Sequence, residues 1–442
     1  MALHAKTNGR LGAPMQNTIE TAPARTRLME GFRALEVRNY RLFWFGQLIS
    51  LTGTWMQTTA QAWLVLQLTQ SPLALGIVTT LQFLPIMLLS LFGGVLIDRM
   101  PKQRVVLMTQ SLAMVQALIF AMLVATGMIE LWHIYILAAV QGAINAFDNP
   151  ARQAMVPELV GRGHMVNAVA LNSMLFNGAR IVGPATAGLV IAQFGIAPAL
   201  FLNAISFLAV IFGLLRMDQQ ALSPRPKPAG TPMQQQILEG LRYVWQTPTV
   251  LLIMLVVAAI GTFGYNFSMV LPLLANFVLK TDAAGFGVLS ASMGLGSLLA
   301  AVTTAYAKQV TLRRLLLGSG AFSLLLGAVA FSTNFALSAA LLVALGFAGI
   351  LFATTANTLL QLTVPDALRG RVMSIYILLF AGTTPIGGFL IGSLSDWMGV
   401  SRTLLICAGL CLTGVLGGAL YRHRVGEVAL SAALPPRVQT PG

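Results

Sequence analysis

Little of this 442-residue sequence is charged. Asp, Glu, Lys and Arg together make up 9% of it, while 56% is hydrophobic. Soluble domains give about a quarter of their residues to charge, so the composition excludes a soluble globular protein. Acids are the scarcest: 13 Asp and Glu stand against 27 Lys and Arg, for a net charge of +14. Cysteine is nearly absent. Cys407 and Cys411 sit one helical turn apart, which suits buried thiols and neither a disulfide framework nor a metal site. Also missing are a G-x-x-x-x-G-K-S/T phosphate loop and the H-E-x-x-H and G-x-S-x-G signatures, so neither an ATP-driven pump nor a hydrolase is indicated. The chain reads as a non-enzyme with no cofactor and no metal. Its first 40 residues are polar and basic (Lys6, Arg10, Arg25, Arg27, Arg33, Arg38) and lack the apolar stretch of a cleavable signal peptide, which predicts a tail that stays in the cytoplasm.

What the sequence has in quantity is apolar length. Mean hydropathy is +0.78, and apolar runs of about 20 residues, enough to cross a bilayer, recur throughout. Twelve candidate spans begin near Leu42, Pro72, Val105, Trp132, Val166, Ala197, Val250, Phe286, Leu312, Ala336, Arg371 and Thr403. This predicts an all-α membrane protein with twelve transmembrane helices. All but three of the 27 basic residues (Arg180, Lys280 and Arg402) fall in the tails or in alternate loops. Those loops carry Arg99, Lys102 and Arg104; Arg152 and Arg162; Arg216, Arg225, Lys227 and Arg242; Lys308, Arg313 and Arg314; Arg369 and Arg371. Such alternation is the positive-inside pattern and places both termini in the cytoplasm. The basic balance therefore records topology and contact with anionic lipid, and no nucleic-acid partner is expected.

The longest polar stretch separates the sixth and seventh spans. It opens with SPRPKPAGTP, after which Met233, Ile237, Leu238, Leu241, Val244 and Trp245 recur at helical spacing. That pattern predicts an amphipathic helix on the membrane surface. The expected organisation is a cytoplasmic tail (1–40), a six-helix bundle (41–216), a linker with the amphipathic helix (217–247), a second six-helix bundle (248–421) and a cytoplasmic tail (422–442). The bundles repeat each other. VPELVGRG precedes the fifth span and VPDALRGR the eleventh, and Gly183, Gly188 and Gly195 align with Gly387, Gly392 and Gly399. An internal repeat of this kind points to a transporter with its substrate site between pseudo-symmetric halves, near the midplane.

Several polar positions stand out against this background. Asp148 and Arg152 are four apart, so they can pair on one helical face. Gln47, Ser50, Thr54, Thr58 and Gln61 share one face of the first span. They either line a cavity or bond between helices, as do Gln141, Asn145, Asn177, Tyr265, Asn266, Asn357 and Gln361. Arg180 lies within NGARIVGPATAG, among small and apolar residues. An ionisable side chain at that depth faces a bundle interior or a watery cavity. It either binds an anionic or polar substrate group or fixes the fourth helix to the fifth, with Asp148, Asn145 or Gln141 as expected partners. Gly183 and Gly188 permit close helix packing, and Pro184 permits a bend. The loop GGVLIDRMPKQR places Gly94, Asp98, Arg99, Lys102 and Arg104 between two spans. Together with Arg152 they form a candidate conformational latch. The corresponding loop AYAKQVTLRR has no acid.

This loop resembles the G-x-x-x-D-R-x-G-x-R/K signature of the major facilitator superfamily, with Pro101 in place of the second glycine. FDNPARQAMVPEL, NAVALNSMLFNGARIVGPATAG and NYRLFWFGQLISLTGTWMQ look like the branch that includes the bacterial enterobactin exporter and related drug-efflux proteins. The resemblance spans essentially the whole chain. GPATAG resembles the fifth-helix motif of antiporters in that superfamily. What the resemblance implies is a bacterial inner-membrane exporter of a small amphipathic molecule (drug, siderophore or metabolite), working by alternating access and exchanging its cargo for protons. Asp148 and Asp98 are the candidate proton sites. The small molecule, protons and the lipid bilayer are the expected partners, and a monomer is the expected state. An importer, or a non-transporting membrane sensor or assembly factor, is the alternative.

Overall fold

The structure, a computed structural model, describes residues 32–161, 163–220, 233–305 and 310–425, with backbone alone for 90–99, 233–237, 305, 367 and 424–425. The basic residues of the outermost tails, Arg162, Arg225, Lys227, Lys308 and the Pro-rich segment SPRPKPAGTP lie outside the described residues.

After one turn of 3₁₀ helix at Arg33–Glu36, the first half consists of α1 (Arg38–Thr69), α2 (Pro72–Arg99), α3 (Lys102–Ala125), α4 (Leu131–Val160), α5 (Met165–Phe194) and α6 (Ile196–Leu215). A surface helix, α7 (Met233–Gln246), leads into the second half: α8 (Pro248–Ala259), α9 (Phe267–Leu273), α10 (Ala283–Ala305), α11 (Leu312–Phe331), α12 (Phe335–Thr363), α13 (Asp366–Phe380), α14 (Thr384–Met398) and α15 (Val400–Val425). The described residues contain no strand, and helices satisfy their own backbone hydrogen bonds, as a chain in hydrocarbon requires.

Among the described residues, ten segments are long and apolar enough to cross a membrane, where the sequence predicts twelve. The two that fail are α1 and α4. They are 32 and 30 residues long, about 48 and 45 Å at 1.5 Å per residue, so length is sufficient. They fall short because they carry Gln47, Ser50 and Gln61, and Gln141, Asp148 and Arg152. The same residues are candidates for the functional site.

The seventh and eleventh spans also differ from the continuous helices expected. The seventh opens at Tyr265–Asn266 between two wide π turns, Ile260–Gly264 and Leu274–Val278. In these turns the amides of Tyr265 and Leu279 reach back five residues to the carbonyls of Ile260 and Leu274. The eleventh breaks between α13 and α14, where Pro385 supplies no N–H for a continuing helix. Their counterparts in the first half, α1 and α5, run unbroken, and α5 does so despite Pro184.

The repeat seen in the sequence is a repeat of packing. Gly195 and Gly399, with φ of 84° and 86°, close α5 and α14, and the next helix starts at once. Only glycine takes this backbone without strain. Within each half glycines let helices meet closely, among them Gly142 of α4 on the Gln82 carbonyl of α2 and Gly346 of α12 on the Met293 carbonyl of α10.

The linker is fastened at both ends. Asn39 exchanges two hydrogen bonds with the Asp218 backbone, at 2.8 and 3.0 Å. Glu239 of α7 forms an ion pair with Arg371 of α13, and Gly240 packs on Arg371 and Ile375. Val244 is buried, whereas Leu238, Leu241 and Trp245 stay exposed. Trp132 and Trp397 are likewise exposed near helix ends at the opposite face, where aromatic rings suit a membrane interface.

Candidate functional site

The site is built outward from Asp148. Its carboxylate is 2% exposed and engaged on both oxygens. Arg152 Nε lies 2.7 Å from Oδ2. Oδ1 accepts from Thr109 Oγ1 at 2.6 Å and from Gln110 Nε2 at 2.9 Å. The helical spacing thus brings Asp148 and Arg152 together, and α3 supplies the remaining donors. Arg152 then reaches across to α1, donating to Gln47 Oε1 at 2.6 Å, and to Asn149 Oδ1 at 2.8 Å. Ser50 donates to Gln110 Oε1 at 3.3 Å. One network therefore joins α1, α3 and α4. A second, Asn203–Gln57–Gln116, ends on the Leu137 carbonyl and ties α6 to the same three helices.

The polar stripe of α1 divides. Gln47, Ser50 and Gln61 are buried, and Gln61 donates to Gln82 of α2 at 3.4 Å. Thr54 and Thr58 are half-buried and return their hydroxyls to carbonyls one turn back. Gln141 donates to Asn145 on its own helix at 3.1 Å.

Arg180 does not meet Asp148, Asn145 or Gln141, the partners expected from the sequence. Its Nη2 donates to Ser297 Oγ of α10, in the other half, at 3.0 Å. The reason is direction: α5 packs one face on α1 and another on α10, and Arg180 points along the second. Arg180 therefore does not fix the fourth helix to the fifth. No carboxylate pairs with it among the described residues. The charge of Arg152 is balanced inside the first half, and that of Arg180 is met by a neutral hydroxyl at the seam. Asn177, one turn earlier, is half-buried and bonds only the Ser173 carbonyl of its own helix.

The second half contributes a wall of different chemistry. Tyr265, at the break of the seventh span, has ring centroids 5.2 Å from Phe267, 6.2 Å from Phe322 and 4.8 Å from Phe380. Tyr376 stacks on Phe380 at 5.7 Å. Tyr265 and Phe380 remain partly exposed. Asn266 is buried; its amide donates to the Thr262 carbonyl at 2.7 Å, and its Oδ1 has no partner. Gly387 lies against both groups, so the two interrupted spans touch at their breaks. Gln361, exposed, donates to Asn357 at 2.5 Å.

The halves meet through two equivalent glycine contacts. Gly188 of α5 faces Gly287 of α10, and Gly392 of α14 faces Gly76 of α2. Gly183 sits instead on Trp55 and Thr52 of α1. Around these contacts Thr80 Oγ1 donates to the Pro385 carbonyl at 3.0 Å, Ser71 Oγ to Asp396 Oδ1 at 3.0 Å and Asn276 Nδ2 to Gln70 Oε1 at 3.0 Å. Trp63 stacks on Phe286. All these contacts lie on the side away from the basic loops, and Arg180–Ser297 marks their inner limit. Ser297, Gly287, Gly76 and Gln82 are absent from the sequence-based candidates. The alternation of the repeat, extended from the fifth and eleventh spans to the second and eighth, would have found the two glycines.

The latch candidates are less fully seen. The side chains of Gly94, Asp98 and Arg99 lie outside the described residues. Lys102 is buried and Arg104 exposed at the start of α3, while Arg152 is committed to Asp148 and Gln47.

Comparison with known proteins places these features in a family. Residues 29–439 match the family of transmembrane secretion effectors. The chain is 28% identical to the multidrug efflux pump Tap of Mycolicibacterium fortuitum, over 88% of this chain and 97% of that protein. It is 27% identical to the staphyloferrin A transporter of Staphylococcus aureus (85% and 94% covered) and 26% to the enterobactin exporter EntS of Escherichia coli (85% and 90%). Among solved structures it resembles a bacterial homolog of the lysosomal transporter Spinster in an inward-facing, unoccupied conformation. That match has a TM-score of 0.67 at 11% identity and covers 90% of this chain and 99% of the other.

Proposed function

Because the chain belongs to the transmembrane secretion effectors of the major facilitator superfamily, a family of membrane transporters, we propose that it exports small amphipathic anions by alternating access, with protons entering in exchange. The observation that carries the substrate class is Arg180. Among the described residues no acid balances it at the seam, and such a cation at membrane depth favours an anionic guest over a cationic one. The aromatic wall of Tyr265 and Phe380 suits the apolar part of such a guest. Drug and siderophore exporters among the relatives support the direction. In this reading α1 and α4 also span the bilayer, giving twelve crossings, and the basic loops lie in the cytoplasm. The contacts between the halves then close the outer face, and the state is the one that loads cargo from inside.

Coupling to protons needs a group whose protonation differs between states. Asp148 is the acid the site offers. A proton on it displaces the Arg152 guanidinium, which in turn frees Gln47 of α1. The test is flux into inverted inner-membrane vesicles under an imposed pH gradient, using a panel of anionic, neutral and cationic amphiphiles. Gradient-dependent uptake of anions by wild type and its collapse in Arg180→Ala support the reading. Uptake of cations alone, or anion uptake untouched by the substitution, overturns it.

A further inference from the structure

We propose that the groove between α10, α11 and α12 is a binding site for one anionic phospholipid of the leaflet on the basic-loop side. The groove has a volume of about 640 Å³ and, apart from Arg314 at one end, an entirely apolar and small-residue lining. It opens on the outside of the second bundle. Its α11 wall packs on α12 and α15 and takes no part in the seam between the halves. Leu299 and Leu317 flank it, 47% and 64% exposed.

The floor of the groove is a trough. On α11, Arg314 is followed at helical spacing by Gly318, Ala321 and Leu325; antiparallel to it, α12 contributes Ala340, Ala344 and Ala348. From Arg314 to Leu325 is eleven steps of 1.5 Å, about 16 Å. The hydrocarbon core of a bilayer is about 30 Å thick, so the trough is one leaflet deep. Its one charged group sits at the end that meets the headgroups. An acyl chain fits the small-residue floor, and its phosphate then lies at the Arg314 guanidinium, where the leaflet surface is itself anionic. A soluble anion has no use for the apolar length, and a zwitterionic headgroup brings no net charge to the arginine. The site is separate from the substrate seam and does not depend on what is transported.

Native mass spectrometry of the purified full-length protein, with added phosphatidylglycerol or phosphatidylcholine of the same chains, tests this. One basic residue near a membrane surface is worth about 1 kcal/mol, or about a fivefold preference for phosphatidylglycerol. Arg314→Gln removes that preference, Arg314→Lys keeps it, and Arg313→Gln leaves it as in wild type. Ala344→Phe, which fills the trough, lowers retention of both lipids while the protein stays monodisperse. An unchanged preference in Arg314→Gln overturns the proposal. So does a dimer whose interface is lost in Ala344→Phe, since a second copy would then be the occupant.

Discussion

Two arginines in the first half illustrate how context decides what a charge does. Arg152 is held by Asp148 and by two amide oxygens, so its charge serves the bundle. Among the described residues Arg180 has only the Ser297 hydroxyl. Asp148→Asn therefore leaves Arg152, 21% exposed, without its counter-ion. Breaking a buried pair from one side costs about 3 kcal/mol or more, and the expected result is a clear fall in the melting temperature of the purified protein. Ser297→Ala removes the hydroxyl that accepts from Arg180 and itself donates to the Met293 carbonyl one turn back; it should cost about 1–2 kcal/mol, a smaller fall in melting temperature than Asp148→Asn gives. If Ser297→Ala were the more damaging of the two, Arg180 would be a structural tie and not a waiting cation.

The interrupted seventh and eleventh spans are where helices depart from regularity, and Gly387 is one of the points at which they touch. A Cβ there would stand 2.1 Å from the Thr262 carbonyl and 2.5 Å from the Asn266 amide. Gly387→Ala must push two breaks apart, costing about 1–3 kcal/mol as overpacking does. At Gly320, where a Cβ meets nothing within 4 Å, alanine should be neutral or slightly stabilising. Paired thermal-unfolding curves check both. Much of this architecture was legible in the sequence. Hydropathy and the spacing of the basic loops give the long helices, including α1 and α4, which fall short of the apolarity of the other ten segments. The glycine repeat gives the two halves. Helical spacing gives Asp148–Arg152. What could not be read was anything that joins residues distant in the chain. Arg180 and Ser297 are 117 positions apart, and no periodicity encodes which face of α5 looks across the seam. The breaks had weaker signals, glycines around Tyr265 and the Gly-Thr-Thr-Pro run at Gly382–Pro385. A membrane helix tolerates both without breaking, as α5 does with Pro184.

The molecule as a whole is two bundles held shut at one face by Gly188–Gly287 and Gly392–Gly76. Close glycine contacts between helices make the seam tight, and Trp63 stacked on Phe286 adds one bulky pair across it. Gly188→Leu cannot keep that contact, because even a Cβ would stand 2.7 Å from the Ala283 carbonyl. It should shift the population toward the state open on this face, read as faster labelling of a thiol introduced by Ser71→Cys. The account stands or falls on whether this face must open during transport. The most direct measurement uses Ser71→Cys with Asp396→Cys, whose native side chains are 3.0 Å apart across the seam, in a chain with Cys407 and Cys411 replaced by serine. Transport is measured before and after bridging the two thiols, and again after reduction. The account predicts that bridging abolishes transport, leaves loading from the basic-loop side intact and is reversed by reduction. Undiminished transport through the bridged protein would contradict it.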